Sequence, residues 1–181
     1  MRLHYADYWD IHHRRSIRLP DRDYAGPGMY FVTVCTAGRE RLLGQIVDGK
    51  MHLNEFGKIV WDCWLALPRH FPFISLDAFV VMPNHIHGII NIHRSRNHPD
   101  TKRGCWGKAC LAPTRRMKFQ KPPARSLCSV IGSFKSATTK RVNIIRDSPG
   151  ARFWQRNYHE RVIRDGALHD IRRYITENPK R

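Results

Sequence analysis

Two runs of strand-forming residues, Ile74 to Met82 and His85 to Ile92, are separated only by Pro83-Asn84. Both runs are rich in β-branched and apolar side chains, and a proline followed by an asparagine favours a turn. So short a link joins antiparallel neighbours, because a parallel pair needs a crossover of a dozen or more residues. The centre of the chain is thereby predicted to be a hairpin. Strand and helix signals are interleaved around it, with too few long crossovers for a parallel doubly wound sheet. The pattern predicts an α+β fold, a ferredoxin-like sandwich in which helices pack on a largely antiparallel sheet.

The remaining elements follow from local signals. Tyr30-Phe31-Val32-Thr33-Val34-Cys35 predicts a central strand, and Leu42 to Ile46 with Met51 to Leu53 predicts a second hairpin turning at Asp48-Gly49. Asn54 is placed to cap a helix whose apolar stripe, Ile59, Val60, Cys63, Trp64 and Leu67, ends near Pro68. Ser126 opens another helix through Leu127, Val130, Ile131, Phe134, Ala137, Thr138 and Val142. A short strand-like Phe153-Trp154-Gln155 follows. The last helix is predicted from about Ala167 to Asn178, with Leu168, Ile171 and Ile175 on one face and Pro179 beyond its end. Residues 1–28 are expected to form an N-terminal arm and residues 29–181 one domain. Inside that domain, positions 94–125 carry ten Lys and Arg against the single acidic Asp100, a net +9, and are expected to form a mobile basic loop.

Charge narrows the function classes. The chain holds 32 Lys and Arg against 15 Asp and Glu, a formal +17, which points to a polyanionic partner without saying which one. No stretch is long and apolar enough for a membrane span, and no apolar signal-peptide core follows Met1, so no membrane partner is expected and a cytoplasmic, nucleoid-associated location is. Five cysteines without a regular framework argue against a secreted disulfide scaffold. His93, just before the basic loop, and His98, Cys105 and Cys110 within it lack the spacing of paired zinc ligands and are not read as a zinc site.

The chemistry concentrates at two places. In Pro83-Asn84-His85-Ile86-His87-Gly88, alternation along a strand sends His85 and His87 to one face and Ile86 to the other, so two imidazoles can share one metal ion. The competing reading is a pair of surface histidines on a polar strand face. In Tyr174-Ile175-Thr176-Glu177-Asn178, helical spacing sets Tyr174 and Asn178 on one face, where a phenol and an amide can address one site. Tyr158, beside His159, is the rival nucleophile. It lacks an amide four residues on, since position 162 is Val162, and its segment reads as strand or turn.

These motifs, in this order and with Phe153-Trp154-Gln155-Arg156-Asn157-Tyr158 and Ile163-Arg164-Asp165 between them, resemble the single-tyrosine HUH transposases of the IS200/IS605 type. The similarity is strongest to the branch called REP-associated tyrosine transposases and spans roughly residues 17–181. It implies one HUH catalytic domain in which His85 and His87 bind Mg²⁺ or Mn²⁺ with Asn178 as a polar third ligand, where better-known relatives have glutamine. It implies that Tyr174 is the nucleophile of a single-stranded DNA endonuclease and strand transferase, cleaving through a covalent 5′-phosphotyrosine. The implied substrate is single-stranded DNA with hairpin structure, and the enzyme is expected as a monomer or homodimer. The cations expected to contact DNA are Arg115, Arg116 and Lys118 in the loop, Lys135, Lys140 and Arg141 on the long helix, and Arg156, Arg164, Arg172 and Arg173 towards the C-terminus. Two other functions remain open at this point, a non-catalytic hairpin-binding regulator and a basic RNA-associated protein.

Overall fold

The computed structural model of the protein describes residues 26–93, 125–164 and 166–180. The N-terminal arm and the basic loop lie outside the described residues, apart from positions 26–28 and Arg125 at their edges.

Six strands are described, β1 (Gly28–Cys35), β2 (Gly44–Val47), β3 (Lys50–Leu53), β4 (Ile74–Met82), β5 (His85–Ile92) and β6 (His159–Val162). The α-helices are α1 (Glu55–Leu65), α2 (Leu67–His70), α3 (Leu127–Ile145) and α4 (Leu168–Glu177). The main sheet runs β4-β5-β1-β6, every pairing antiparallel. With α1 between β1 and β4 and α3 between β5 and β6, this is the split βαβ arrangement of a ferredoxin-like sandwich, the fold class expected from the sequence.

The Pro83-Asn84 link turns β4 directly into β5, pairing Met82 with His85 and Val81 with Ile86. β2 and β3 form a separate hairpin whose turn residues, Asp48 at φ 49° and Gly49 at φ 70°, are both left-handed, as a two-residue turn between twisted strands requires. Helix starts are fixed by side chains that accept from otherwise unpaired backbone N–H groups. Asn54 accepts from Gly57 N at 2.9 Å to open α1, and Ser126 with Ser129 forms a reciprocal capping box on α3. Pro68 stands in the first turn of α2, where its missing N–H costs nothing, so the chain bends into a second short helix at the point where one was expected to end.

Alternation divides the main sheet into two faces. Tyr30, Val32 and Val34 of β1 and Ile86 and Ile90 of β5 are fully buried against Val60 and Trp64 of α1 and Val130, Ile131 and Phe134 of α3. Removing a side chain of this size from water contributes roughly 1.5–3 kcal/mol. Gly88 makes the contact possible, because a Cβ there would strike the Trp64 ring, which stacks on Phe79 at 4.6 Å. The other face carries Phe31, Thr33, His85 and His87, and α4 lies over it.

Candidate active site

The second face is assembled by register. Thr33 of β1 stands opposite His87 of β5 on one side and His159 of β6 on the other, and Cys35 stands opposite His85. Side chains of directly paired residues share a face, so the strands bring an aromatic, a hydroxyl and the two imidazoles into one patch. Phe31 stacks on His87 with ring centroids 5.2 Å apart. His87 is 6% exposed, and the Nε2 atoms of His85 and His87 converge to 3.1 Å.

Each imidazole is held from behind. Nδ1 of His85 lies 2.7 Å from Oδ1 of Asn84, and Nδ1 of His87 lies 2.8 Å from Oγ1 of Thr33. Burial lowers the pKa of both rings, and for His87 a second contribution from His85 brings it to about 4, while Arg39 adds to the lowering at His85. Both rings are therefore neutral near pH 7, the state in which an imidazole ligates a metal.

Helix α4 supplies the third group. Oη of Tyr174 lies 3.4 Å from Nε2 of His87, and its ring meets Phe31 edge-on at 6.1 Å. The helix is fastened to β4 by Arg172, whose Nε and Nη2 donate to the two carboxylate oxygens of Asp77 at 2.8 and 2.6 Å. That bidentate pair keeps the Asp77 carboxyl below its ordinary range. Arg173 bonds Asp170 on its own helix at 3.0 Å. Asn178 is buried at the end of α4, where the next turn packs against β3 and β4, and among the described residues no hydrogen bond joins it to either histidine.

Two nitrogens 3.1 Å apart suit one divalent ion, since bonds of about 2.1 Å at right angles hold neighbouring ligand atoms ~3.0 Å apart. Among the described residues no group of three or more His, Cys, Asp or Glu could hold a metal. The donor set on this face is thus two imidazoles, leaving other positions on an ion for an amide, water or a substrate oxygen.

Of the other cations singled out from the sequence, Arg115, Arg116 and Lys118 lie outside the described residues. Lys135 donates to the backbone oxygens of Gln155 and Arg156, and burial lowers its pKa to about 8. Arg141 donates to Sγ of Cys63 at 3.3 Å. Lys140 and Arg156 line an open cleft of about 900 Å³ between α3 and the 147–156 segment, together with Arg152 and Trp154. Arg164 is exposed after β6. Tyr158 turns its hydroxyl towards Sγ of Cys128 at 3.5 Å and packs on the core. Thr33 and Asn84 escaped the sequence reading as site residues. Thr33 is marked only by being a hydroxyl on an otherwise apolar strand, and Asn84 only by its turn position.

No family model matches the chain. An uncharacterized protein of Haemophilus influenzae is 39% identical over 173 residues, covering 93% of this chain and 89% of its own. Among solved structures, a REP-associated tyrosine transposase bound to a REP hairpin shares the fold with a TM-score of 0.54 at 19% identity, over 91% of this chain and 73% of that one. Among the described residues no helix is long and apolar enough to cross a membrane.

Proposed function

The chain belongs to one family with the Haemophilus influenzae protein, and we propose that it is a metal-dependent tyrosine transposase of the HUH type, which nicks and rejoins single-stranded DNA bearing hairpins. The observation that carries this reading is the meeting of Tyr174 Oη with His87 Nε2 at 3.4 Å, beside a second imidazole nitrogen 3.1 Å further on. A phenol, two neutral imidazoles and a bidentate clamp on the phenol's helix exceed what a binding surface needs. The likeness to a hairpin-bound transposase supports the same reading at the level of fold.

His85 and His87 would hold Mg²⁺ or Mn²⁺, with Asn178, one helical turn beyond Tyr174, as the proposed third protein ligand. When bound, such an ion supplies charge that polarises a scissile phosphate and offsets the charge growing on it during attack. Tyr174 is the proposed nucleophile. Its oxygen attacks phosphorus, the phenol loses its proton, and the bond to the 3′-oxygen breaks, leaving a 5′-phosphotyrosine and a 3′-hydroxyl. Because the phosphotyrosine conserves the energy of the diester, another 3′-hydroxyl can reverse the step and join new ends. The phenol and His87 meet within one chain, which supports action by a monomer without exchange of α4.

Phosphate contacts are assigned to the exposed cations Lys140, Arg156 and Arg164, with Arg115, Arg116 and Lys118 from the basic loop. Arg141, Arg172 and Arg173 already hold protein partners and, like Lys135, are proposed to contribute through their field. The deciding experiment mixes the full chain with a single-stranded hairpin oligonucleotide and Mn²⁺ and resolves the products on a denaturing gel. A covalent protein–DNA adduct is expected, absent from Tyr174→Phe and from His85→Ala. Tight hairpin binding with no adduct in any metal would instead identify a non-catalytic regulator.

A further inference from the structure

The contacts behind the two imidazoles are chemically unequal, and the inequality dictates where each ring carries its proton. Nδ2 of Asn84 donates to the backbone oxygen of Arg39 at 3.2 Å, which fixes the amide so that Oδ1 is the atom 2.7 Å from Nδ1 of His85. A carboxamide oxygen has no hydrogen to give. Nδ1 of a neutral His85 must therefore be the protonated nitrogen, and Nε2 presents a lone pair. Nε2 of His87 stands 3.1 Å from that lone pair. Two lone pairs cannot face each other at this distance, so without a cation between them His87 carries its hydrogen on Nε2 and donates to His85. Its Nδ1 is then an acceptor, and the Thr33 hydroxyl, 2.8 Å away, is the donor.

A shared cation reverses the second ring alone. To ligate through Nε2, His87 has to give up the hydrogen there and take one at Nδ1, and Thr33 Oγ1 must change from donor to acceptor. A hydroxyl can serve in either sense, while a carboxamide oxygen or a methyl group cannot.

We propose that Asn84 and Thr33 are the positioning residues of the histidine pair, Asn84 locking His85 permanently as its Nδ1–H tautomer and Thr33 allowing His87 to move its proton from Nε2 to Nδ1 when a divalent cation arrives. One hydrogen leaves Nε2 and one is gained at Nδ1 through solvent, so the exchange releases no net proton. One face of β5 thus holds a fixed ligand and a convertible one. The inference rests on reading the pair as a metal site, and it assigns work to two residues that touch neither substrate nor ion.

The test follows the ring nitrogens directly. The full chain, labelled with ¹⁵N-histidine, is compared by long-range proton–nitrogen correlation near neutral pH without metal and with Mg²⁺. His85 is expected as Nδ1–H in both conditions, and His87 as Nε2–H without metal and Nδ1–H with it. Binding of Mn²⁺, read by paramagnetic resonance without DNA, is expected to weaken about 10- to 100-fold in Thr33→Val and in Asn84→Ala, and to be retained in Thr33→Ser. Finding His85 as Nε2–H in the metal-free protein overturns the role of Asn84, and finding His87 already as Nδ1–H there overturns the role of Thr33. A wild-type protein that takes up no Mn²⁺ overturns the metal reading and this inference with it. A wild type that binds, with Thr33→Val and Asn84→Ala binding equally, overturns the positioning roles alone.

Discussion

The Tyr174 hydroxyl oxygen lies 3.4 Å from Nε2 of His87 although 87 residues separate the two in the chain. Their meeting depends on α4 lying across the sheet face opposite the main core. The ring of Tyr174 also touches Phe31, and the residue is 37% exposed. Tyr174→Phe keeps the ring contacts and is expected to change the unfolding free energy by less than about 0.5 kcal/mol, the range of surface substitutions. Urea denaturation measures this. A loss of about 2 kcal/mol or more would mean that the phenol is a structural hydrogen-bonding group, and any loss of cleavage could then no longer be assigned to chemistry.

The histidine pair gives the metal-free protein a pH-dependent stability whose sign is fixed by burial. His87 is lowered from 6.5 to about 4 in the folded state, and His85 is lowered in the same direction. Between those values the unfolded chain binds protons that the folded chain refuses. Stability is therefore unaffected by these rings above about pH 6.5 and falls as the pH drops towards about 4. Thermal unfolding across that interval should show a decline in midpoint, smaller in His87→Gln. An equal decline in that variant would place the titrating group elsewhere.

Asp77 and Arg172 decide where Tyr174 stands. Asp77 sits where the β4–β5 register shifts between Leu76 and Phe79, and its Oδ1 also accepts from Ala78 N at 2.7 Å. The irregularity and that local bond aim the carboxylate at α4. Arg172 is half exposed, so solvent screening leaves the pair little weight in global stability. Its effect on position is larger. Asp77→Asn should fold, show faster hydrogen exchange along α4, and form the covalent adduct more slowly at saturating DNA with hairpin affinity unchanged. Unchanged exchange and unchanged adduct formation would remove the clamp from the mechanism.

The parts of this architecture legible in the sequence are those set by neighbours along the chain. Pro83-Asn84 between two apolar runs specifies the β4–β5 hairpin, Asn54 and Ser126 announce α1 and α3, and the spacing of His85 and His87 assigns them one face. β6 is only half legible, as a segment of strand or turn, because His159-Glu160-Arg161-Val162 is short and polar and its place in the sheet comes from pairing with β1. Phe153-Trp154-Gln155, which looks more strand-like, forms among the described residues a single bridge between Trp154 and Thr36. Thr33 and Asn84 were missed for a related reason. A hydrogen bond from β1 to His87 across 54 residues follows from strand register, which local periodicity does not contain.

The cleft between α3 and the 147–156 segment lends itself to a test by charge. Lys140, Arg152 and Arg156 are exposed on its walls, and Lys135 braces those walls by donating to the Gln155 and Arg156 backbone oxygens. A cation that neutralises a phosphate releases condensed counterions, so its removal weakens binding and flattens the salt dependence together. Lys140→Ala and Arg152→Ala are each expected to lower hairpin affinity and to reduce the slope of log affinity against log salt by about 0.7–0.9 per lost contact. Arg172→Ala is the comparison, since that guanidinium is committed to Asp77 and acts only through its field, so its loss should flatten the slope less than the loss of a direct phosphate contact. Fluorescence anisotropy with a labelled hairpin over a salt series separates the cases. Equal slopes for the wild type and both cleft variants would move the phosphate path away from α3, whereas a slope flattened in Arg172→Ala by the full amount of a lost contact would place it on the Tyr174 face.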